Sequence, residues 1–397
     1  MKILHTSDWH IGKKVNEFSM FENQEYVFDQ IYQIIKNEKI DVVIVAGDLY
    51  DKPIVDTESV KFLNNILVKI VKECGSKIIL VSGNHDSSDR ISFVKEFLKD
   101  SGIYIEGKFN GEINKIVLND EFGEINFYPL SYFDEIHIKH LYNDSSIKTS
   151  DDALKNIINR LHVDYSKRNI FIGHGYFSNK NGDKMIESDS ERRLSIGGQE
   201  VMDASILKDF DYVALGHLHA SQKVMYDHIR YAGSISKYSF SEMKHKKSVT
   251  IVEMLQKGNL NIKQIELKLK YDMREIEGYL DSLISEEFYK NLNVMDYYRV
   301  ILHDSIGLSD PVSRLRKIYK NVMEVKFKDT QFDLDMEYQV SNDDLVSKSA
   351  FELFENFYKS VSNKELNDTQ IKIIQDVIKD SEISEYWWEE FKWFQYV

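Results

Sequence analysis

Eight residues of this chain could do metal chemistry together: Asp8, His10, Asp48, Asn84, His85, His174, His217 and His219. They fall in five short stretches: Asp-Trp-His, Gly-Asp, Gly-Asn-His-Asp, Gly-His and Gly-His-Leu-His. Taken singly, each is weak. Asp48 alone reads as a helix cap or turn former, and a solitary histidine such as His162 or His228 reads as structural or exposed. Taken together, with five of the twelve histidines at such junctions, they describe a centre for two divalent ions. Such ions, about 3.5–4 Å apart, clamp both oxygens of an in-line phosphoryl displacement. Asp8 and Asp48 supply negative charge, while His10, Asn84, His174, His217 and His219 are neutral donors. Two divalent ions against two carboxylates leave a positive site, which suits a phosphodiester. Imidazole and carboxylate without thiol fit Mn, Fe or Zn better than Ca or Mg alone. His85 is left over. It follows Asn84 without necessarily binding an ion, and an imidazole there is suited to protonating a leaving alkoxide.

The elements that must position these residues share one shape. DVVIVAGDLYD, KIILVSGNHD, NIFIGHGYF and YVALGHLH each run from apolar residues through Gly to Asp, Asn or His. Continuous Val- and Ile-rich runs predict strands buried on both faces. Helical stripes lie between them at Ile31, Ile34 and Ile35, at Val60, Leu63, Leu67, Ile70 and Val71, and at Phe93, Phe97 and Leu98. The alternation predicts a layered α/β domain with functional loops at the carboxyl ends of the strands. Later strands, near 103–105, 113–118, 124–129, 229–232, 248–254 and 260–268, have few helices between them. They predict a second sheet, hence an α/β/β/α sandwich over 1–268.

Beyond Leu269 the pattern changes. Ile276, Leu280 and Leu283 predict a helix, YYRVILHD a strand, Val312, Leu315 and Tyr319 a helix, and NVMEVKF a strand. These make a small α/β capping domain over 269–328. An acidic, irregular linker covers 329–346. Residues 347–397 form a C-terminal helical segment, with stripes at Phe351, Phe354, Tyr358 and Val361 and at Ile371, Ile374 and Ile378. Its end carries Tyr386, Trp387, Trp388, Phe391, Trp393 and Phe394.

The totals set limits. A single cysteine, Cys74, forbids an intrachain disulfide and suits a reducing compartment. Neither a basic, apolar leader nor an apolar run of the ~20 residues a membrane span needs is visible, so a cytoplasmic protein with no membrane association is expected. A net charge of −14 argues against coating nucleic acid by bulk electrostatics. Local basic loops remain: Lys13-Lys14, Arg192-Arg193 and Lys244-His245-Lys246-Lys247. Each reads first as a solvated loop, with contact to DNA as the functional alternative.

MKILHTSDWHIGK, ENQEYVFDQI, GNHDSSDRISF, SDSERRLSIGGQEVMDAS, FDYVALGHLHASQ and YAGSISKYSFSE together resemble the calcineurin-like metallophosphoesterase superfamily. Within it they resemble the SbcD family, nuclease subunits that act with a coiled-coil ATPase of the SbcC type. The resemblance is specific over about the first 255 residues and looser to about 330. It implies one ion on Asp8, His10, Asp48 and His219, and a second on Asp48, Asn84, His174 and His217. Asp48 bridges and His85 is catalytic. It further implies Mn2+, DNA ends and hairpins as substrate for exonuclease and endonuclease cleavage in repair and recombination, a homodimer within a heterotetramer, and ATPase docking through the C-terminal helices. There are departures. Ala220-Ser221 stands where the family often has Arg-Pro, Ile235-Ser236 where it has Pro-Leu, and Asp51 where relatives outside bacteria have histidine. The ligand residues alone also allow a phosphatase or phosphodiesterase on small molecules or phosphoprotein. A binding scaffold that has lost catalysis is disfavoured, since all eight residues are present.

Overall fold

The computed structural model describes residues 1–179, 184–191, 201–304, 308–328, 349–362 and 365–378. In chain order the main elements begin with β1 (Lys2–Thr6), α1 (Phe21–Glu38), β2 (Val42–Ala46), α2 (Thr57–Val68), β3 (Lys77–Val81), β4 (Ile103–Glu106), β5 (Ile116–Asp120) and β6 (Gly123–Leu130). They continue with α3 (Glu135–Tyr142), α4 (Ser150–Arg160), β7 (Arg168–His174), β8 (Tyr212–Gly216), β9 (Gln222–Val224), β10 (Tyr226–Tyr231), β11 (Ser248–Met254) and β12 (Leu260–Glu266).

Two six-stranded sheets result, in the orders β12-β11-β1-β2-β3-β4 and β9-β10-β8-β7-β6-β5. In the first, β1 to β4 run parallel, and β11 pairs antiparallel with β1. In the second, β6, β7, β8 and β10 run parallel. Parallel neighbours bring several carboxyl ends to one edge of each sheet, which is where the site is built.

The sequence explains the layers through its two-residue period. In Val42–Ala46 every residue is buried. Val42, Ile44 and Ala46 join Ile3, Ile79, Phe127, Ile170, Ile172 and Ala214 in the core between the sheets. Val43 and Val45 point the other way, onto Val27, Phe28, Ile31, Ile35, Leu63 and Ile66 of α1 and α2. On the outer face of the second sheet, Phe171, Val213 and Leu215 pack with Ile138, Leu154 and Ile157 of α3 and α4. The order is helix, sheet, sheet, helix, the expected α/β/β/α sandwich. Helix starts are capped: the Asp56 carboxylate accepts from the Ser59 N–H at 2.8 Å, and Thr149 with Asp152 forms a capping box. His5 bridges the layers, its imidazole on the Tyr212 hydroxyl at 2.9 Å and the Leu215 carbonyl at 3.1 Å. Burial pulls its pKa down to about 3, so it is a neutral structural group.

Several expectations need correction. The four glycine-ended strands do not share a sheet: β2 and β3 lie in the first, β7 and β8 in the second. The later strands β4, β11 and β12 return to the first sheet. Runs buried on both faces look alike in sequence whichever sheet holds them. Phe93 and Phe97 are 74% and 81% exposed, on a broken helical segment, and form no core stripe. Ile276 lies in a strand, β13 (Met273–Gly278), and the helix after it is the single turn Leu280–Leu283. Tyr319 lies beyond its helix, α5 (Pro311–Arg316).

Strand β13 forms a three-stranded sheet with β14 (Tyr297–Leu302) and β15 (Asn321–Phe327). By contacts the chain divides into two units. The first is Met1–Glu277, Asp281–Val300 and Asp310–Val325, and the second is Gly278–Leu280, Ile301–Ser309 and Lys326–Val397. Within the first, Met273, Tyr297 and Met323 share a core cluster with Val15, Met20, Tyr238 and Phe240. Within the second, α6 (Ala350–Ser362) is followed by a helical run over 368–378, and Gln370 donates to the Tyr358 hydroxyl at 3.3 Å. The acidic stretch 329–346 and the terminal aromatics Tyr386 to Phe394 lie outside the described residues.

Candidate metal centre

All eight singled-out residues follow or end a parallel strand, at the carboxyl edges of the two sheets. Asp8 and His10 follow β1, Asp48 follows β2, and Asn84 and His85 follow β3. His174 ends β7, and His217 and His219 follow β8. Asp8, His10, Asp48, His174, His217 and His219 are buried, and Asn84 and His85 are half-buried. A strand carrying two polar residues into a buried corner is explained by what meets them there.

The backbone is built for this convergence. The loops after β1 and β2 are joined by hydrogen bonds from Asp8 N to Gly47 O (3.0 Å), His10 N to Asp48 O (3.0 Å) and Ile11 N to Leu49 O (2.9 Å). Asp8, His10, Asp48 and His217 adopt φ of 51°, 44°, 52° and 112°, a region non-glycine residues enter at a cost of order 1–3 kcal/mol each. Close approach explains two glycines: a Cβ on Gly83 would collide with the Asp48 carboxylate, and one on Gly216 with the Ala46 carbonyl of the other sheet.

Asp48 lies between the two halves. Its Oδ2 is 3.6 Å from His10 Nε2 and 3.5 Å from His174 Nε2. His10 Nε2 and His219 Nε2 are 3.2 Å apart, and His174 Nε2 is 3.0 Å from Asn84 Oδ1. Ligand atoms close enough for one cation occur in the sets Asp8, His10, His219 and Asp8, Asp48, His174, and in a third, His10, Asp51, His85. Asp8 thus belongs with both halves. The His217 N–H donates to both Asp8 oxygens at 3.0 and 3.1 Å, and its ring stands 5.5 Å from that of His174.

Hydrogen-bond bookkeeping shows that these donors fit a divalent cation. The His174 Nδ1–H donates to the Ala46 carbonyl at 2.7 Å, so a neutral ring turns the Nε2 lone pair toward Asn84 Oδ1, another acceptor. Two acceptors at that distance are reconciled by turning the Asn84 amide so that its Nδ2, which has no partner, donates to the ring, or by a cation between them. A proton can serve: burial pulls the His174 pKa down, but the Asp48 charge outweighs it and lifts the value to about 9. Similarly, His10 Nδ1 is buried with no hydrogen-bond partner. Were Nε2 to hold a metal, Nδ1 would carry the hydrogen and face Asp51 Oδ1, 3.7 Å away. Burial drives His10 well below its ordinary range, and burial with the nearby His174 charge takes His217 to about 3. Both are therefore neutral, as ligands must be.

His85 is placed differently. Its N–H donates to Asp48 Oδ1 at 2.9 Å and its Nδ1 to the Asp51 carbonyl at 2.9 Å. That leaves Nε2 as its free ring nitrogen, with the ring 4.8 Å from that of His10.

Some groups escaped the sequence reading. Asp86 accepts from the N–H groups of Leu49, Tyr50 and Gly83 and so holds the loops after β2 and β3 together. Burial, then the Asp48 charge, raises its pKa to about 7. Its place in Gly-Asn-His-Asp was visible and its turn-forming chemistry was the available signal. Gln24 donates to the Trp9 and His10 carbonyls at 3.1 and 2.8 Å; a glutamine in an amphipathic helix carries no such signal. Lys13 pairs with Asp51 at 2.7 Å. Lys247, expected to be solvated or on DNA, is neither: it is buried and donates to Glu242, Ser234 Oγ and the His219 carbonyl. Lys244 and Lys246 are exposed, and Arg192-Arg193 lie outside the described residues.

Comparison with known proteins gives this geometry a family. The calcineurin-like phosphoesterase family matches residues 1–221, and the "Type 5 capsule protein repressor C-terminal domain" matches 270–362. The SbcD component of the SbcCD nuclease of Staphylococcus saprophyticus is 31% identical over 95% of this chain and 98% of its own. Its counterpart in Staphylococcus epidermidis is 31% identical over 96% and 100%. The chain belongs to the SbcD family of calcineurin-like phosphoesterases. As a member of the SbcD family it is a metal-dependent phosphodiesterase, and its Asp and His cluster suits divalent ions. Among solved structures, a dimetal phosphatase from Danio rerio is 10% identical over 68% of this chain and 99% of that one, with a TM-score of 0.38. Likeness at that level has no bearing on the fold. Among the described residues, no helix of this SbcD-family chain is long and apolar enough to cross a membrane.

Proposed function

We propose that this chain is a Mn2+-dependent DNA exonuclease and endonuclease subunit that cleaves phosphodiester bonds at DNA ends and hairpins with two metal ions. It acts with an SbcC-type coiled-coil ATPase in repair and recombination. The observation that carries this reading is the Asp48 carboxylate between His10 and His174, at 3.6 and 3.5 Å. One ion belongs to Asp8, His10, Asp48 and His219, and the other to Asp48, Asn84, His174 and His217. The ions supply Lewis-acid stabilisation of the charge that develops on the reacting phosphate and activate water for in-line attack. The chain's own residues do the rest. Asp48 keeps both halves of the site in register, and the peptide N–H of His85 holds its carboxylate in place. His85, with Nδ1 pinned on the Asp51 carbonyl, presents Nε2 toward the site. In its imidazolium form, with hydrogen on both ring nitrogens, His85 would give the Nε2 proton to the departing alkoxide as the water oxygen bonds to phosphorus and the P–O bond to the leaving group breaks. The attacking water's proton passes to solvent, and the ring takes one back from solvent for the next turnover.

The division of labour follows the same reading: 1–268 for cleavage, 269–328 as a cap, 329–346 as a linker and 347–397 for docking the ATPase, as a homodimer within a heterotetramer. The amphipathic helix Ala350–Ser362 supports docking. The test is purified protein with Mn2+ and labelled hairpin DNA, beside a simple phosphomonoester. Cleavage of the hairpin is expected. Turnover of the monoester alone would favour the alternative, a phosphatase or phosphodiesterase on a non-DNA substrate.

A further inference from the structure

Behind His219, on the side of its Nδ1, lies a buried charged network that the chemistry above does not use. Glu242 and Lys247 are fully buried or nearly so and form an ion pair. Glu242 Oε1 is 3.3 Å from His219 Nδ1 and also accepts from the Ser190 hydroxyl and the Tyr238 N–H. Ser190 Oγ is itself 2.7 Å from His219 Nδ1. The carboxylate can only accept, so the Ser190 hydroxyl hydrogen points to Glu242 and its lone pair is free to accept from His219. Lys247 completes the enclosure by donating to the His219 carbonyl at 2.9 Å, and Glu191 Oε1 takes the His219 N–H at 2.5 Å. Every polar group of His219 except Nε2 is thereby held by a neighbour.

Buried ion pairs are poor sources of net stability, since desolvation offsets their attraction. This one is placed where it does something else. With the hydrogen fixed on Nδ1, the lone pair is fixed on Nε2, the atom that faces His10. The same arrangement serves His174 through the Ala46 carbonyl, whereas behind His219 Nδ1 stands a carboxylate at 3.3 Å.

Resting on the two-ion reading above, we propose that Glu242, relayed by Ser190 and neutralised by Lys247, is a positioning residue for His219. It sets the ring's tautomer and orientation and so the affinity of the ion that His219 holds. Lys247 belongs to this device and not to a DNA-binding surface. Partners of this kind set metal affinity by about 10–100-fold.

The experiment is calorimetric titration of the full chain with Mn2+, alongside the visible absorption of the Co2+-loaded protein. The variants are Glu242→Gln, Ser190→Ala and the double variant Glu242→Gln/Lys247→Met, which leaves no unpaired charge. Unfolding by heat, followed by circular dichroism, verifies that each variant is folded. The expected result is one ion weakened about 10–100-fold in the glutamate variants and less in Ser190→Ala, with the other ion unchanged. The Co2+ spectrum should change for one equivalent only. A purely structural role would lower both affinities along with thermal stability, which overturns the proposal. Two ions bound as in wild type by every folded variant also overturns it. A wild type that binds no ion overturns the two-ion reading, and this inference falls with it.

Discussion

The two sheets bring different chemistry to their shared edge and hold it by different means. From the first come both carboxylates, Asp8 and Asp48, on loops that lock each other through main-chain hydrogen bonds and left-handed backbone. From the second come imidazoles, His174, His217 and His219, two of them aimed by oxygen atoms placed behind the ring. Charge sits on one sheet and most of the neutral donors on the other. The lesson is that neither sheet contains a site, and that the dry core between them is the part that creates one. A carboxylate ligand can be fixed by its own backbone, while a histidine needs a partner for its second nitrogen.

The contrast is broken most completely by removing the charge of the first sheet. Asp48→Ala is expected to slow phosphodiester hydrolysis by more than ~10⁴-fold, beyond the loss of a proton donor alone. It should also erase both binding events in a Mn2+ titration, whereas Asp8→Ala should retain more activity. One site kept at near-normal affinity in Asp48→Ala would end the bridging role. A smaller effect, ~10²–10⁴-fold, is expected for His85→Ala with both ions still bound. If that variant loses an ion, His85 is a ligand and not the proton donor.

The dependence on inter-sheet packing can be sharpened at Ile44, fully buried between the layers. Ile44→Ala should cost about 2–5 kcal/mol in urea unfolding, and Mn2+ should return part of the loss by binding only the folded state. A variant that keeps its stability but loses metal would show that Ile44 acts on the site and not on the core. The smallest effect is at the surface. Lys244→Ser with Lys246→Ser should leave metal binding intact. The salt slope of DNA binding should fall by roughly 0.9 for each phosphate that these lysines neutralise. An unchanged slope makes both residues solvated side chains.

Much of this was legible because the signals are local. Val42 to Ala46 reads as a doubly buried strand from its own residues, and each candidate ligand ends or follows a strand. What was hidden is what depends on distant partners. Which sheet receives a strand is decided by register with neighbours far along the chain, so the scarcity of helices around β11 and β12 points to the second sheet while pairing with β1 puts them in the first. Phe93 and Phe97 have helical spacing, but the segment breaks at Val94, whose φ is 59°, and their rings stay in water. Lys247 has the look of one more lysine in a basic run. Only the fold shows Glu242 beside it, and the pair facing His219.

The left-handed backbone at Asp8, His10, Asp48 and His217 has a further consequence. Strain gathered with crowded acceptors gives this edge less reason to stay closed than the core beneath it. Native-state hydrogen exchange should therefore divide along the length of β1. The amides of Ile3 and Leu4 should exchange only with global unfolding, and those of Asp8 and His10 through a local opening whose frequency falls as divalent ion is added. The availability of a suitable metal would then set how long the loops remain exposed to proteases. The same residues would govern both turnover of substrate and turnover of the protein itself.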